Sequence, residues 1–310
     1  MTKLSLKKTM EYFNKKYETI QQLQSLVVRK DYQMIEADLL ESYDKFKTRH
    51  QRVDKNSMVK LIDKEGDVKV LRPDVTTSII DNLAMKWENT PLKVFYNETI
   101  FVNKADGINE EKQFGVEYLG ENSSKADQEI LTIIKEIFES FDLEFLIEIN
   151  DASIIDTIFD SLNLEERQIT KLKEILDNKD ISRLETFIDK YLSDYPYQSF
   201  LKSILDLQGS FEVVSKKLKT LDVPKDVMDK VEGLKIFEET LGKHNAVIDL
   251  SMQSVYGYYQ GIIFKGYMSN LSRNVLSGGR YNTKALGTEQ SIDACGFSLT
   301  LNELLEKKVA

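Results

Sequence analysis

Hairpin-like strand patterns lie towards both ends of this chain. Between them, residues 151–240 carry helical periodicity rich in Lys, Glu, Asp and Leu, with almost no glycine. That order of hairpins, helices and hairpins restricts the fold more than any other feature. Strands joined by tight turns pair antiparallel, and a helical run set between two strand groups reads as an insertion, here ending near Gly242. The expected fold class is therefore α/β of the α+β type, an antiparallel sheet flanked by helices. With 310 residues, the chain is expected to form one large domain over 1–310 with the helical insertion 151–240 inside it.

Local signals place the elements. Residues 3–28 read as an amphipathic helix, and residues 57–71 as a hairpin around a Lys64-Glu65-Gly66-Asp67 turn. Pro73 follows Arg72, so Asp74, Thr76 or Thr77 can cap a helix over 78–87. Strands are expected over 93–102 and 112–119, joined by residues 103–111 with a turn at Asp106-Gly107. A helix over 127–141 and a strand over 143–149 precede the insertion. After it come strands over 246–252, 256–267 and 274–278, then a tight turn at Gly278-Gly279-Arg280-Tyr281. A strand over 294–299 leads into a last helix over 300–308.

Composition removes several function classes. A net charge of -9 repels a polyanion, and no basic run offsets it, so no nucleic-acid partner is expected. One cysteine, Cys295, excludes an internal disulfide and argues against a thiolate metal site. His50 and His244 stand far apart, which argues against a histidine metal site or a Ser-His-Asp triad. The first residues lack an apolar signal core, and no uncharged apolar run reaches membrane-spanning length. No membrane partner is expected, and the expected location is cytoplasmic.

No arginine occurs between Arg72 and Arg167. Residues 93–120, the strand-loop-strand stretch inside that gap, offer scattered lysines and several carboxylates. Activating a nucleotide triphosphate needs forked cationic donors for the shifting phosphate charge. The stretch has groups suited to holding an amino acid and lacks those suited to activating one. Gln113 and Glu117 stand four apart in a strand and so share a face. Read locally, Asp74 and Thr76 serve the helix after Pro73 as caps, and Tyr258 and Tyr259 are ordinary sheet aromatics. Arg280 reads as a structural ion-pair partner and Cys295 as a small core residue.

Four segments in order carry a resemblance: residues 71–76, the hairpin 95–120 with Gln113-Phe114-Gly115-Val116-Glu117, Tyr258-Tyr259-Gln260-Gly261, and Gly278-Gly279-Arg280-Tyr281 leading to Gly296-Phe297. Together, from about residue 5 to 308, they resemble the histidyl-tRNA synthetase family, with its class II synthetase core. The departures are specific. The family's hairpin Phe-Arg pair, whose arginine grips the ATP α-phosphate, reads Phe101-Val102 here. A second ATP-binding arginine, on the final helix, is Glu303, and the arginine of the histidine-specific strand is Ser254. Asp38 stands at the proline of the first class II motif, and no anticodon-binding domain is expected.

This pattern is similar to one branch of the family, the regulatory subunit of short-form ATP phosphoribosyltransferase. The resemblance implies no catalytic residue, no cofactor and no metal. It implies a partner, the short catalytic subunit, in a hetero-octamer, with histidine as feedback effector and self-association as a dimer. It also implies a histidine site: Asp74, Thr76 and Gln113 around the ammonium, Glu117 and Tyr259 at the imidazole nitrogens, and Tyr258 beside them. Two other readings remain at this point, a truncated histidine-activating enzyme and a tRNA-sensing synthetase-like module.

Overall fold

Alternation along residues 113–117 decides the architecture around the candidate site: Phe114 and Val116 are fully buried on one face, and Gln113, Gly115 and Glu117 fall on the other. The computed structural model describes residues 6–44, 46, 57–84, 88, 90–253, 259–269, 271, 273–284 and 291–309. The chain divides into two units, one of residues 1–122 and 282–310, the other of residues 123–281.

The first unit opens with helix α1 (Leu6–Val28), followed by β1 (Gln33–Met34) and β2 (Leu40–Ser42). The hairpin β3 (Lys60–Ile62) and β4 (Val68–Leu71) forms as expected, with Gly66 in the left-handed region at φ 88°. Strands β2, β4 and β3 make a small antiparallel sheet. Helix α2 runs Val75–Ala84, starting three residues before the expected 78 because Asp74 caps it. Strands β5 (Leu92–Lys104) and β6 (Gly107–Leu119) form one long hairpin. The expected connection 103–111 is nearly all strand. Its polar residues hide the pairing from propensity, while Gly107 at φ 126° closes the turn directly after Asp106. Beside β6 lies an antiparallel strand spanning Ser291–Thr300, and the helix Leu301–Val309 follows it.

The second unit begins with α3 (Ser124–Ser140), whose Ile130, Ile133, Ile134, Ile137 and Phe138 are all buried at helical spacing. Next comes β7 (Phe145–Asp151). A largely helical run follows as α4 (Ala152–Ser161), α5 (Glu166–Asp177), α6 (Ile181–Tyr191) and α7 (Gln198–Ser203). Strand β8 (Gln208–Gly209), α8 (Phe211–Leu218) and α9 (Lys225–Leu241) complete it. Side-chain caps at Asp151, Asp180 and Ser210, and a capping box at Glu165 and Gln168, divide the glycine-poor run into short helices. Gly242, at φ 92°, ends α9 as its position predicts.

The remaining strands of this unit are β9 (Ala246–Asp249), β10 (Tyr259–Met268) and β11 (Leu276–Lys284), the last running on into the first unit after Tyr281. Strands β7 and β9 are parallel, an exception to the expected antiparallel sheet. A parallel pair needs a long crossover, and the largely helical run between these strands supplies it. Strand β8 pairs with β9, so the run expected to be helical is not wholly so. In chain order, the strand Ser291–Thr300 is β12 and the helix Leu301–Val309 is α10; α10 packs on α1 and β6.

A further local expectation is overturned. Gly278-Gly279-Arg280-Tyr281 is not a tight turn but the middle of β11. A Cβ on Gly279 would stand 2.5 Å from the Ile262 carbonyl oxygen and 2.9 Å from Tyr259 Cδ1, so glycine permits the close approach of β10. A glycine pair signals either a turn or such an approach, and local sequence does not separate the two. Arg280 is the structural ion-pair partner expected: its guanidinium meets Asp127 at 2.8–2.9 Å and donates to the Ser123 carbonyl at the start of α3. Cys295 is fully buried, as expected. His244 is exposed, and His50 lies outside the described residues.

Candidate functional site

Cross-strand register in the first unit sets three rows on one face of its sheet. Val94, Glu117 and Gly296 oppose one another across β5, β6 and β12. The next row is Tyr96, Gly115 and Ser298, and the third is Glu98, Gln113 and Thr300. Directly opposed residues project to the same side. The reverse face carries Phe95, Phe114, Val116, Phe297 and Leu299, all buried. One face is therefore apolar core, and the other, the platform, sets Glu98, Gln113, Glu117 and Ser298 among the buried Val94, Tyr96 and Ile100.

Two glycines shape that platform. A Cβ on Gly296 would lie 1.9 Å from Glu117 Oε2 and 2.5 Å from the Val116 carbonyl oxygen; one on Gly115 would lie 2.0 Å from Tyr96 Cζ. Each glycine is the socket for the large side chain across from it. Glu117 is 1% exposed, and Thr76 in the first turn of α2 donates its hydroxyl to Glu117 Oε1 at 2.6 Å. Tyr96 is fully buried, with the Thr76 and Ser298 side chains beside its hydroxyl. Burial, and then the nearby charges of Glu117 and Asp74, hold this phenol well above the usual range, so it stays neutral.

Asp74 does what the local reading favoured: Oδ2 accepts from the Thr77 amide at 3.0 Å and from the Thr77 hydroxyl. Replacing Asp74 with alanine is expected to cost about 1 kcal/mol through loss of the cap, read as a lower urea midpoint. Gln113 is half-buried on the same face as Glu117. Of the six residues expected at the site, the structure brings Asp74, Thr76, Gln113 and Glu117 together in the first unit. Tyr259 belongs to the second unit, half-buried, edge-on to Tyr281 and packed on Ala152, Met252 and Ile263. Tyr258 and Ser254 lie outside the described residues. Tyr96 and Ser298 were missed, although glycines inside strand patterns at 115 and 296 mark close approaches and could have pointed to them.

Cations on this face are few and engaged. Arg72 is 3% exposed and bound to Glu98, the Thr99 carbonyl and the Ala37 carbonyl. Lys104 pairs with Glu111 at 2.6 Å. Val102 lies on the platform side of β5, opposite Asn109, and Glu303 is a buried carboxylate in the first turn of α10. Among the described residues no cluster of His, Cys, Asp or Glu could hold a metal ion, and no helix is long and apolar enough to cross a membrane.

A family model described as histidyl-tRNA synthetase matches residues 10–304. Two relatives described as ATP phosphoribosyltransferase regulatory subunit are similar over most of their length. The one from Clostridium acetobutylicum is 34% identical over 91% of this chain and 72% of the relative. The one from Alkaliphilus metalliredigens is 31% identical over 89% and 72%. Among solved structures, a regulatory subunit/histidyl-tRNA synthetase from Bacillus halodurans matches with TM-score 0.84 at 23% identity, covering 96% of this chain and 79% of that one. A chain of the ATP phosphoribosyl transferase (HisG:HisZ) complex from Thermotoga maritima matches with TM-score 0.72 at 21% identity, covering 92% and 96%. These two structural matches establish the class II synthetase-like fold.

Proposed function

We propose, because this chain belongs to the histidyl-tRNA synthetase family and within it to the ATP phosphoribosyltransferase regulatory subunits, that it is the regulatory subunit of such a transferase in histidine biosynthesis. Its partner is the short catalytic subunit, in a hetero-octamer built on a dimer of this chain. Histidine is the effector. Residues 151–240 are an insertion within one synthetase-like domain.

The observation that carries the reading is the charge of the platform. Where the resemblance calls for ATP-binding arginines, the chain has Val102 and a buried Glu303. A triphosphate would face Glu98, Glu111 and Glu117, with Arg72 and Lys104 already paired to two of them. Like charge at short range in a partly buried site opposes phosphate binding strongly. The same carboxylates suit an ammonium or a ring N–H, which is what free histidine presents. In this reading Asp74, Thr76 and Gln113 take the ammonium, and Glu117 addresses the ring.

The test is phosphoribosyl transfer by the short catalytic subunit, with and without this chain and with and without histidine. The chain is expected to raise the rate and make it histidine-sensitive, while neither adenylate nor phosphoribosyl transfer occurs with the chain alone. Glu117→Gln is expected to shift histidine inhibition to roughly 5- to 150-fold higher concentration, equivalent to about 1–3 kcal/mol of lost pairing. Histidine-dependent pyrophosphate exchange by the chain alone would overturn the reading in favour of an activating enzyme.

A further inference from the structure

A solvent-open cleft of about 700 Å³ lies wholly within the second unit. Chain connectivity explains its charge. Helix α3 ends at Ser140 and β7 begins at Phe145, while α9 ends at Leu241 and β9 begins at Ala246. Strands β7 and β9 run parallel and α3 packs on α9, so both helices end at the same edge of the sheet. Each helix C-terminus carries about half a negative charge. Glu139, Asp142 and Glu144 add exposed carboxylates there, and His244 is the one basic residue of the lining. Among the described residues only Glu139 of these three has a cation partner, Lys135 at 3.9 Å, while Glu144 accepts from the Ser269 hydroxyl at 2.8 Å. The walls are apolar. Leu146 is exposed, the half-buried Phe145 ring stacks on Phe138 at 4.8 Å, and Tyr267 spends its hydroxyl on Glu148 at 3.0 Å.

We propose that this cleft is a docking surface for a basic segment of a partner protein, an arginine or lysine beside an apolar residue. The cationic head answers the carboxylates and the two helix ends, while its stem and the apolar neighbour cover Phe145, Leu146 and Tyr267. A nucleotide or other anion is repelled, and so is a second copy of this chain meeting the cleft with its own. The lining suits a protein segment better than a metabolite. Most of its residues are exposed, whereas small-molecule sites enclose most of their ligand. The partner's identity rests on the regulatory reading, under which it is the catalytic subunit.

The experiment titrates the short catalytic subunit with the full chain by calorimetry, and with a variant carrying Glu139→Gln, Asp142→Asn and Glu144→Gln together. These neutral replacements keep an acceptor for Ser269, and asparagine tolerates the left-handed backbone of Asp142 at φ 53°. The dissociation constant is expected to rise about tenfold or more and to lose much of its salt dependence, while the urea midpoint stays level. A control variant with Asp222→Asn, Asp229→Asn and Glu232→Gln removes the same charge from exposed positions in and before the first half of α9, and is expected to bind normally. A cleft variant that binds as tightly as the unmodified chain sinks this inference and leaves the regulatory reading standing. Equal weakening by both variants also sinks it, because net charge rather than the cleft then sets the affinity. An unmodified chain that does not bind the catalytic subunit sinks both.

Discussion

Replacing Arg72 with alanine is expected to destabilise the protein by about 3–5 kcal/mol, the range for removing one partner of a buried ion pair. Arg72 is 3% exposed, and each arm of its guanidinium is used. Nε donates to the Thr99 carbonyl at 2.9 Å, one terminal nitrogen donates to the Ala37 carbonyl, and the other meets Glu98. Its backbone is bound as well, donating to the Leu39 carbonyl and accepting from the Phe101 amide. The residue thus ties the segment before β2 to β5, and its loss strands the Glu98 carboxylate in a largely dry place. Urea denaturation measures the cost. The double variant Arg72→Met, Glu98→Leu is expected to recover much of it, since the penalty lies mostly in the uncompensated charge. A double variant as unstable as Arg72→Ala would show that the carbonyl contacts dominate instead.

The second large effect concerns Gly296. Alanine there places a Cβ 1.9 Å from Glu117 Oε2 and 2.5 Å from the Val116 carbonyl oxygen. Glu117 could swing aside, but a backbone oxygen in a paired strand cannot move without disturbing the β6–β12 ladder. Overpacking of this kind costs about 1–3 kcal/mol. Displacing Glu117 also breaks its bond with Thr76 and removes the acceptor proposed for the effector, so histidine binding is expected to fall below detection by calorimetry. Glu117→Ala in the Gly296→Ala background separates the two costs. If stability returns only partly, the remainder is the clash with the backbone. A Gly296→Ala protein of normal stability and histidine affinity would contradict the socket.

Much of the fold was legible because periodicity is a local property. The buried isoleucines of α3, the hairpin at Lys64–Asp67 and the end of α9 at Gly242 each follow from spacing or from one residue's backbone preference. Three features were less legible. The β5–β6 hairpin extends through a charged segment because pairing, rather than propensity, holds its tip. The glycine pair in β11 serves an approach from β10 that nothing nearby in sequence announces. The parallel pairing of β7 with β9 joins strands separated by the whole run of helices from α4 to α9.

The candidate site divides the same way. From its residues alone the chain was already acidic, poor in arginine across residues 73–166, and equipped with Asp74, Thr76, Gln113 and Glu117. What only the tertiary structure decided is which of these share a face and what surrounds them. Tyr96 became a buried wall beside Glu117 through its register with Gly115, and Arg72 became a structural bolt through burial against Glu98. A side chain's chemistry is carried in its type, but whether it is dry, paired or crowded depends on contacts with residues distant in sequence.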